Sequence, residues 1–162
     1  MFILTGNGII IWAKGLIILP DEEKLPDENA RLHNISQMCF GCGYNNNIGL
    51  KLQFHMHDSI CWATFIPAEE HQGWDGCMHG GLVVALLDEV MAQWLWLNGI
   101  SAMTAEMTTR YSYIVPLGQM LRVEAERIGG RGRLYEMAAK IILPDGKVAV
   151  KAKAKFLRLR AG

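Results

Sequence analysis

The run His71-Gln72-Gly73-Trp74-Asp75-Gly76-Cys77-Met78-His79-Gly80-Gly81 leads straight into Leu82-Val83-Val84-Ala85-Leu86-Leu87-Asp88-Glu89. A glycine-rich loop opens an apolar helix that carries two carboxylates. A helix start offers backbone N–H groups without partners inside the helix, backed by the positive end of its dipole. Donors of that kind polarise a carbonyl oxygen, and a carboxylate further along can attack carbon or activate water. Gly80 is the candidate donor. Gly81 is a second donor or simply room for a ligand; the plainer alternative is that the two glycines only allow close packing. Asp88 interrupts an otherwise apolar stretch, where a carboxylate without a role is costly, and is the candidate nucleophile or base. Glu89 projects about 100° further round the helix and is the reserve acid. His79 either shapes the loop or hydrogen-bonds the ligand near its carbonyl. Trp74 and Met78 are candidate pocket walls, with Gln72 and Gly73 beside them.

Other chemistry finds less support. Cys39 and Cys42 form a CxxC pair, but a zinc site needs two further ligands, and the sequence holds no second CxxC and no HxxxH. Cys77 with a histidine could complete such a site in space. The expectation is no metal and no redox cofactor, with reduced thiols around the turn Phe40-Gly41-Cys42-Gly43 in a reducing, cytoplasmic setting. Lys plus Arg and Asp plus Glu number 16 each, which argues against a nucleic-acid binder led by bulk electrostatics. A chain that is 51% hydrophobic with zero formal charge points to surface buried between copies.

The elements that must position these residues follow from periodicity. Residues 1–20 are mostly apolar with Lys14 the one charge, but Gly6, Asn7, Gly8 and Gly15 interrupt them. Two short strands, Ile9–Trp12 and Leu16–Leu19, are expected there rather than a signal or membrane anchor. Asp27 caps a short helix running to about Ile35. Strands are expected at Leu50–His57 and Ile60–Phe65, and a long helix from near Gly80 to a stop at Asn98-Gly99. Four further strands follow: Met103–Val115, Met120–Ile128, Arg133–Leu143 and Lys147–Arg160, the last two entered through glycine turns. Lys151, Lys153 and Lys155 alternate with alanines, whereas Arg158 and Arg160 alternate with leucines in the other parity, which predicts a bulge at Phe156-Leu157. The lysine row reads as a solvated sheet face, with contact to ligand phosphates as the sharper alternative. The fold class is α+β, a curved antiparallel sheet wrapped around one long central helix. An uncovered edge strand points to a dimer.

Several pieces in order resemble one family, the hotdog-fold thioesterases, in particular the phenylacetate-pathway and acyl-CoA thioesterase branch. They are His79-Gly80-Gly81 with Asp88 nine residues after the histidine, Cys39-Phe40-Gly41-Cys42-Gly43 through Gly49-Leu50-Lys51-Leu52, Thr104-Ala105-Glu106 through Tyr111, Val115-Pro116-Leu117-Gly118, and Asp145-Gly146-Lys147. The resemblance covers about residues 39–160 and implies a division into an N-terminal apolar hairpin and short helix over 1–38 and a hotdog thioesterase-like domain over 39–162. It implies hydrolysis of a fatty or aromatic acyl-CoA, with coenzyme A as part of the substrate and no cofactor. Gly80 is then the oxyanion donor, Asp88 the nucleophile or base, and His79 and Thr104 the helpers. Gln72, Gly73, Trp74, Met78 and Gly81 line the substrate. A homodimer or homotetramer with sites at a subunit interface is implied, with no nucleic-acid partner and no membrane association. The alternative is a non-catalytic acyl-CoA-binding protein, a sensor or scaffold. This chain departs from the pattern at Gly73, where relatives carry an Asn or Gln side chain and Gln72 stands beside it, and at Ile114, where many carry proline.

Overall fold

His79 and Asn98 bracket the long helix α1, Gly80–Leu97. The His79 ring accepts the Gly81 N–H at 3.0 Å as an N-cap. At the other end Asn98 returns its side-chain amide to Trp94 O at 2.7 Å, and Gly99 takes φ 74° to turn the chain away. Between these caps Val83, Leu86, Leu87, Val90, Met91, Trp94 and Leu95 are buried. Length and a mean hydropathy of 1.3 would suit a membrane span, but here those side chains fill the core of a sheet protein.

The computed structural model describes residues 37–159 and, as backbone only, three short strands before them: β1 Leu4–Thr5, β2 Ile9–Trp12 and β3 Gly15–Ile18. The expected apolar hairpin is β2 with β3, and β1 adds to it to make a three-stranded antiparallel sheet. The helix expected over 27–35 lies outside the described residues.

The main sheet holds β4 His55–His57, β5 Ile60–Phe65, β6 Ala102–Tyr111, β7 Leu121–Gly129, β8 Leu134–Ile142 and β9 Val148–Arg158. Their order is β4-β5-β7-β8-β9-β6, every neighbouring pair antiparallel. β4 is shorter than the expected Leu50–His57. Leu50, Leu52 and Phe54 still bury alternately, but Lys51 sits at φ 56°, and only the last three residues pair. β6 stops at Tyr111 rather than Val115, because Ser112 and Tyr113 turn their N–H groups onto Ala149 O.

One face of this sheet wraps α1. β8 alternates without a break, with Tyr135, Met137, Ala139 and Ile141 inward. Ala63, Ala125, Ala139, Ala152 and Ala154 are buried across five positions of that inner face. Small side chains there leave room for Leu86, Leu87 and Met91, all fully buried. The Trp94 indole N–H donates to Ser59 O at 2.7 Å and ties the last turns of the helix to the β4–β5 hairpin. Lys151, Lys153 and Lys155 stand exposed on the opposite face, away from the helix.

The bulge expected at Phe156-Leu157 of β9 is elsewhere. β9 keeps its phase through those residues, with Phe156 buried and Leu157 exposed. The extra residue lies opposite, in β6: Thr104 pairs Phe156 and Glu106 pairs Lys155, leaving Ala105 unpaired. A second irregularity skips Ala149, so that Ala149 and Val150 are both buried. The change of parity in the sequence after Phe156 therefore marks the end of the buried strand. The Ala105 bulge turns Thr104 to the helix side while Glu106, two residues on, stays outside on Lys155 Nζ at 2.8 Å.

Leu86 is fully buried at the centre of α1. Leu86→Ala is expected to lower unfolding stability by about 2–5 kcal/mol, the range for a core leucine truncation. Urea denaturation reads it; a loss under about 1 kcal/mol would mean that the site collapses around the gap.

Candidate active site

The loop before α1 is braced along its length. Gly73 N–H bonds Cys77 O at 2.9 Å, Met78 N–H bonds Val115 O at 2.8 Å, and His79 N–H bonds His71 O at 2.8 Å. These hold the helix start beside the segment that follows β6. Leu82 and Val83 both donate to His79 O, and Gly81 donates to the His79 ring. Of the four N–H groups opening the helix, Gly80 N–H alone has no hydrogen-bond acceptor among the described residues. It opens on a cleft of about 560 Å³.

Trp74, Met78, His79 and Val83 line that cleft, with Tyr113 and Ile114 facing them from beyond β6. Trp74 is 87% exposed and Met78 nearly buried, so the walls run from solvent to core. The cleft also holds Tyr111 and Cys77, neither of which sequence reasoning placed beside a ligand there. Tyr111 donates its hydroxyl to Gly80 O at 2.8 Å and fixes the first turn from the side of β6. Burial pushes this phenol up, so it stays a donor. Its signal in the sequence was alternation: Met107, Thr109 and Tyr111 share the inward face of β6 with Thr104 once the bulge is counted.

His79 acts as a shaping residue. Since Nδ1 accepts the Gly81 N–H, the neutral ring carries its proton on Nε2. The same bond occupies the Gly81 donor, so Gly81 is not a second oxyanion donor; a Cβ there would lie 3.0 Å from the His79 ring. Gly73 lacks a side chain for a similar reason, as a Cβ there would meet His79 Cα at 3.0 Å. Gln72 does not replace the missing amide: its Oε1 accepts Gly76 N–H at 3.1 Å, and it lines a separate depression with Pro67 and Leu117.

Asp88 meets the expected helper. Thr104 Oγ1 donates to Asp88 Oδ1 at 2.7 Å. Burial, opposed by this hydrogen bond and reinforced by the Glu89 charge, holds the Asp88 carboxyl above the ordinary aspartate value. Glu89, the reserve acid, turns to another side of the helix. It faces Cys39 and Gln93, at 3.6 and 3.0 Å, rather than the cleft. Burial, and then the Glu89 carboxylate, push the neighbouring Cys42 thiol up. Cys77, lining the cleft, does not join Cys39 and Cys42.

Two half-sites result. The structure groups Gly73, Trp74, Met78, His79 and Gly80 around one cleft, and Asp88 with Thr104 elsewhere on the same helix. Gly80 and Asp88 are eight residues apart in α1, about 12 Å at 1.5 Å per residue. A donor on a carbonyl oxygen and a group attacking its carbon must both lie within about 3–3.5 Å of that carbonyl, so one copy cannot apply both.

Residues 75–158 match the family model of the thioesterase superfamily. A crystal structure of a thioesterase superfamily protein superposes with a TM-score of 0.71 at 27% identity, over 75% of this chain and 60% of that one. A Streptococcus mutans protein, crystallised with acetyl-CoA bound, superposes with a TM-score of 0.63 at 15% identity, over 67% of this chain and 88% of that one. The mouse acyl-coenzyme A thioesterase THEM5 is 26% identical over 109 residues, 66% of this chain and 44% of its own length. The chain thus spans less than half the length of that curated relative.

Thr104 provides the hydrogen bond that lowers the Asp88 value. Thr104→Val is expected to move the Asp88 carboxyl titration, followed by carbon-detected NMR, to higher pH; an unmoved midpoint would deny the bond its role. A carboxyl raised in the folded state contributes stability that is present at low pH and lost as pH rises through its folded value. Asp88→Asn is therefore expected to be more stable than the native chain at pH 7, seen as a higher urea midpoint, with the difference vanishing below the unfolded aspartate range.

Proposed function

The chain belongs to the thioesterase superfamily, and on that footing we propose that it hydrolyses the thioester of an acyl-CoA with a fatty or aromatic acyl group. The observation that carries this reading is the pair of half-sites on α1: an open Gly80 N–H above an apolar cleft, and an Asp88 carboxylate held by Thr104. The thioester oxygen rests on the Gly80 N–H with the helix dipole behind it. One such donor is worth roughly 3–4 kcal/mol in the transition state. The acyl group lies along Trp74, Met78, Val83 and Ile114, whose apolar and aromatic surfaces suit an alkyl chain or an aryl ring. A carboxylate takes a proton from the water that attacks the carbonyl carbon, or attacks that carbon itself to give a mixed anhydride that water then hydrolyses. The carbon–sulfur bond then breaks, and the thiolate leaves without needing strong protonation.

The 12 Å separation makes the site a shared one. β6 is the long free edge of the main sheet, three-residue β4 being the other, with Met103, Thr104 and Tyr111 exposed along it. An edge of ten residues invites pairing with a second copy. Two copies joined along β6 about a two-fold axis place their α1 helices antiparallel. With the axis near Val84, midway between Gly80 and Asp88, Gly80 of one protomer meets Asp88 of the partner subunit. We assign the activity to residues 39–162 in such a dimer or a tetramer built from it. A reducing cytoplasm suits the four free thiols.

Thiol release from a panel of acyl-CoAs tests the reading. Asp88→Asn is expected to lower kcat by about 10²–10⁴-fold, the usual loss on removing a positioned base. Gly80→Pro deletes the donor yet suits the first helical position, where proline is well tolerated. Mixing the two inactive proteins and allowing subunit exchange is expected to restore about a quarter of wild-type activity, because half the dimers then carry one intact site of two. Equal rates for Asp88→Asn and wild type would sink the assignment of Asp88. No release by wild type, with acyl-CoA still bound, would instead favour a sensor or scaffold.

A further inference from the structure

The turn from Cys39 to Gly43 lies against the middle of α1, on a side of the helix that the proposed chemistry does not use. Its backbone is pinned by Gly43 N–H to Cys39 O at 2.9 Å, Leu50 N–H to Phe40 O at 2.7 Å and Leu52 N–H to Gly41 O at 3.0 Å. Gly41 approaches so closely that a Cβ there would lie 2.4 Å from Glu89 Cδ. Cys39 Sγ stands 3.6 and 3.7 Å from the two Glu89 carboxylate oxygens. One turn along the helix, Gln93 Nε2 is 3.0 Å from Glu89 Oε1 and 3.4 Å from Cys42 Sγ. Ligand atoms of Cys39, Cys42 and Glu89 lie within 4.8 Å of one another.

Two features of this cluster lack an explanation among the described residues. No Lys, Arg or His among the described residues pairs with Glu89. Gln93 is 8% exposed, and its Oε1 is a buried polar atom without a hydrogen-bond partner. A half-turn of the Gln93 amide, which exchanges its oxygen and nitrogen, would bring that oxygen to the place beside Glu89 and Cys42.

We propose that Cys39, Cys42 and Glu89 bind a thiophilic divalent cation, Zn²⁺ foremost, with the Gln93 carboxamide oxygen as fourth ligand. Ligands at about 2.0–2.3 Å in a tetrahedron stand roughly 3.3–3.8 Å from each other. The Cys39–Glu89 separation of 3.6 Å and the Gln93–Cys42 separation of 3.4 Å fall on such edges, the 3.0 Å Gln93–Glu89 contact needs a small opening, and the edges from Cys42 to Cys39 and Glu89 lie within 4.8 Å. Two thiolates select zinc over magnesium or calcium. On loading, the thiols release their protons to solvent as the metal–sulfur bonds form. Four protein ligands make a closed, structural site. It clips the turn to α1 beside Asp88, and it takes its third ligand from the helix rather than from Cys77 and a histidine.

The test is a Co²⁺ titration of the full chain after chelator treatment under reducing conditions. The expected result is one equivalent bound per chain, with an intense thiolate-to-cobalt charge-transfer band that Zn²⁺ displaces. Cys42→Ser and Glu89→Gln are each expected to weaken binding by at least about tenfold, with folding checked by circular dichroism. No such band on the reduced wild type, or one undiminished in both variants, overturns the site. Should neither variant fold, alkylation of the wild type decides: Zn²⁺ shielding Cys39 and Cys42 supports the proposal, and equal labelling with and without Zn²⁺ overturns it.

Discussion

A single helix both fills the core and carries the two groups proposed to act on the thioester, Gly80 and Asp88, and the rest of the structure follows from that double duty. α1 must be apolar enough to seat against small side chains from four strands, yet it bears Asp88 and Glu89 side by side. A carboxylate on a buried helix needs a partner wherever it points. The fold meets this twice, in different ways. Thr104 comes from an edge strand to hold Asp88, and the cysteine turn comes from fifty residues upstream to cover Glu89.

The first turn of the same helix is built to opposite specifications. Three of its N–H groups are consumed by His79, through its ring and its carbonyl, and only Gly80 is left open. Leaving a donor unpaired is tolerable because it faces a solvent-filled cleft and not the core. His79, Gly81 and Gly73 are thus one unit: the imidazole caps the helix, and the two glycines make space for it. Tyr111 locks the unit to β6, the strand that also delivers Thr104. One strand therefore registers both half-sites against the helix.

Much of this was legible in the residues themselves. The glycine start of α1, its Asn98-Gly99 stop, and the turns between β7, β8 and β9 rest on local chemistry, and they stand where that chemistry puts them. The pairing of Thr104 with Asp88 came from resemblance, and the geometry realises it. What escaped was decided by partners distant in sequence. The Ala105 bulge shows only in the register of β6 on β9, since a change of parity at a strand end and a slip in the neighbouring strand leave similar traces. Gln72 is the exception, turned from the cleft by a backbone donor only four residues on, Gly76. The angle of about 100° between Asp88 and Glu89 follows from helix geometry, but not the turn fifty residues upstream that covers Glu89.

Ala105 has a wider meaning for how the edge strand carries information. Inserting one residue into a two-residue repeat works as a phase shifter. Thr104 on one side of it is read by the helix, while the next out-facing position, Glu106, is read by the lysine on the far side of the sheet. Without that offset, residues 104 and 106 would share a face, and a change suited to one surface would be felt by the other. With it, the strand's interior grammar and its exterior grammar are uncoupled within three residues. The outer surface of the sheet is thereby free to drift in charge and partner while the hydroxyl that serves Asp88 keeps its place.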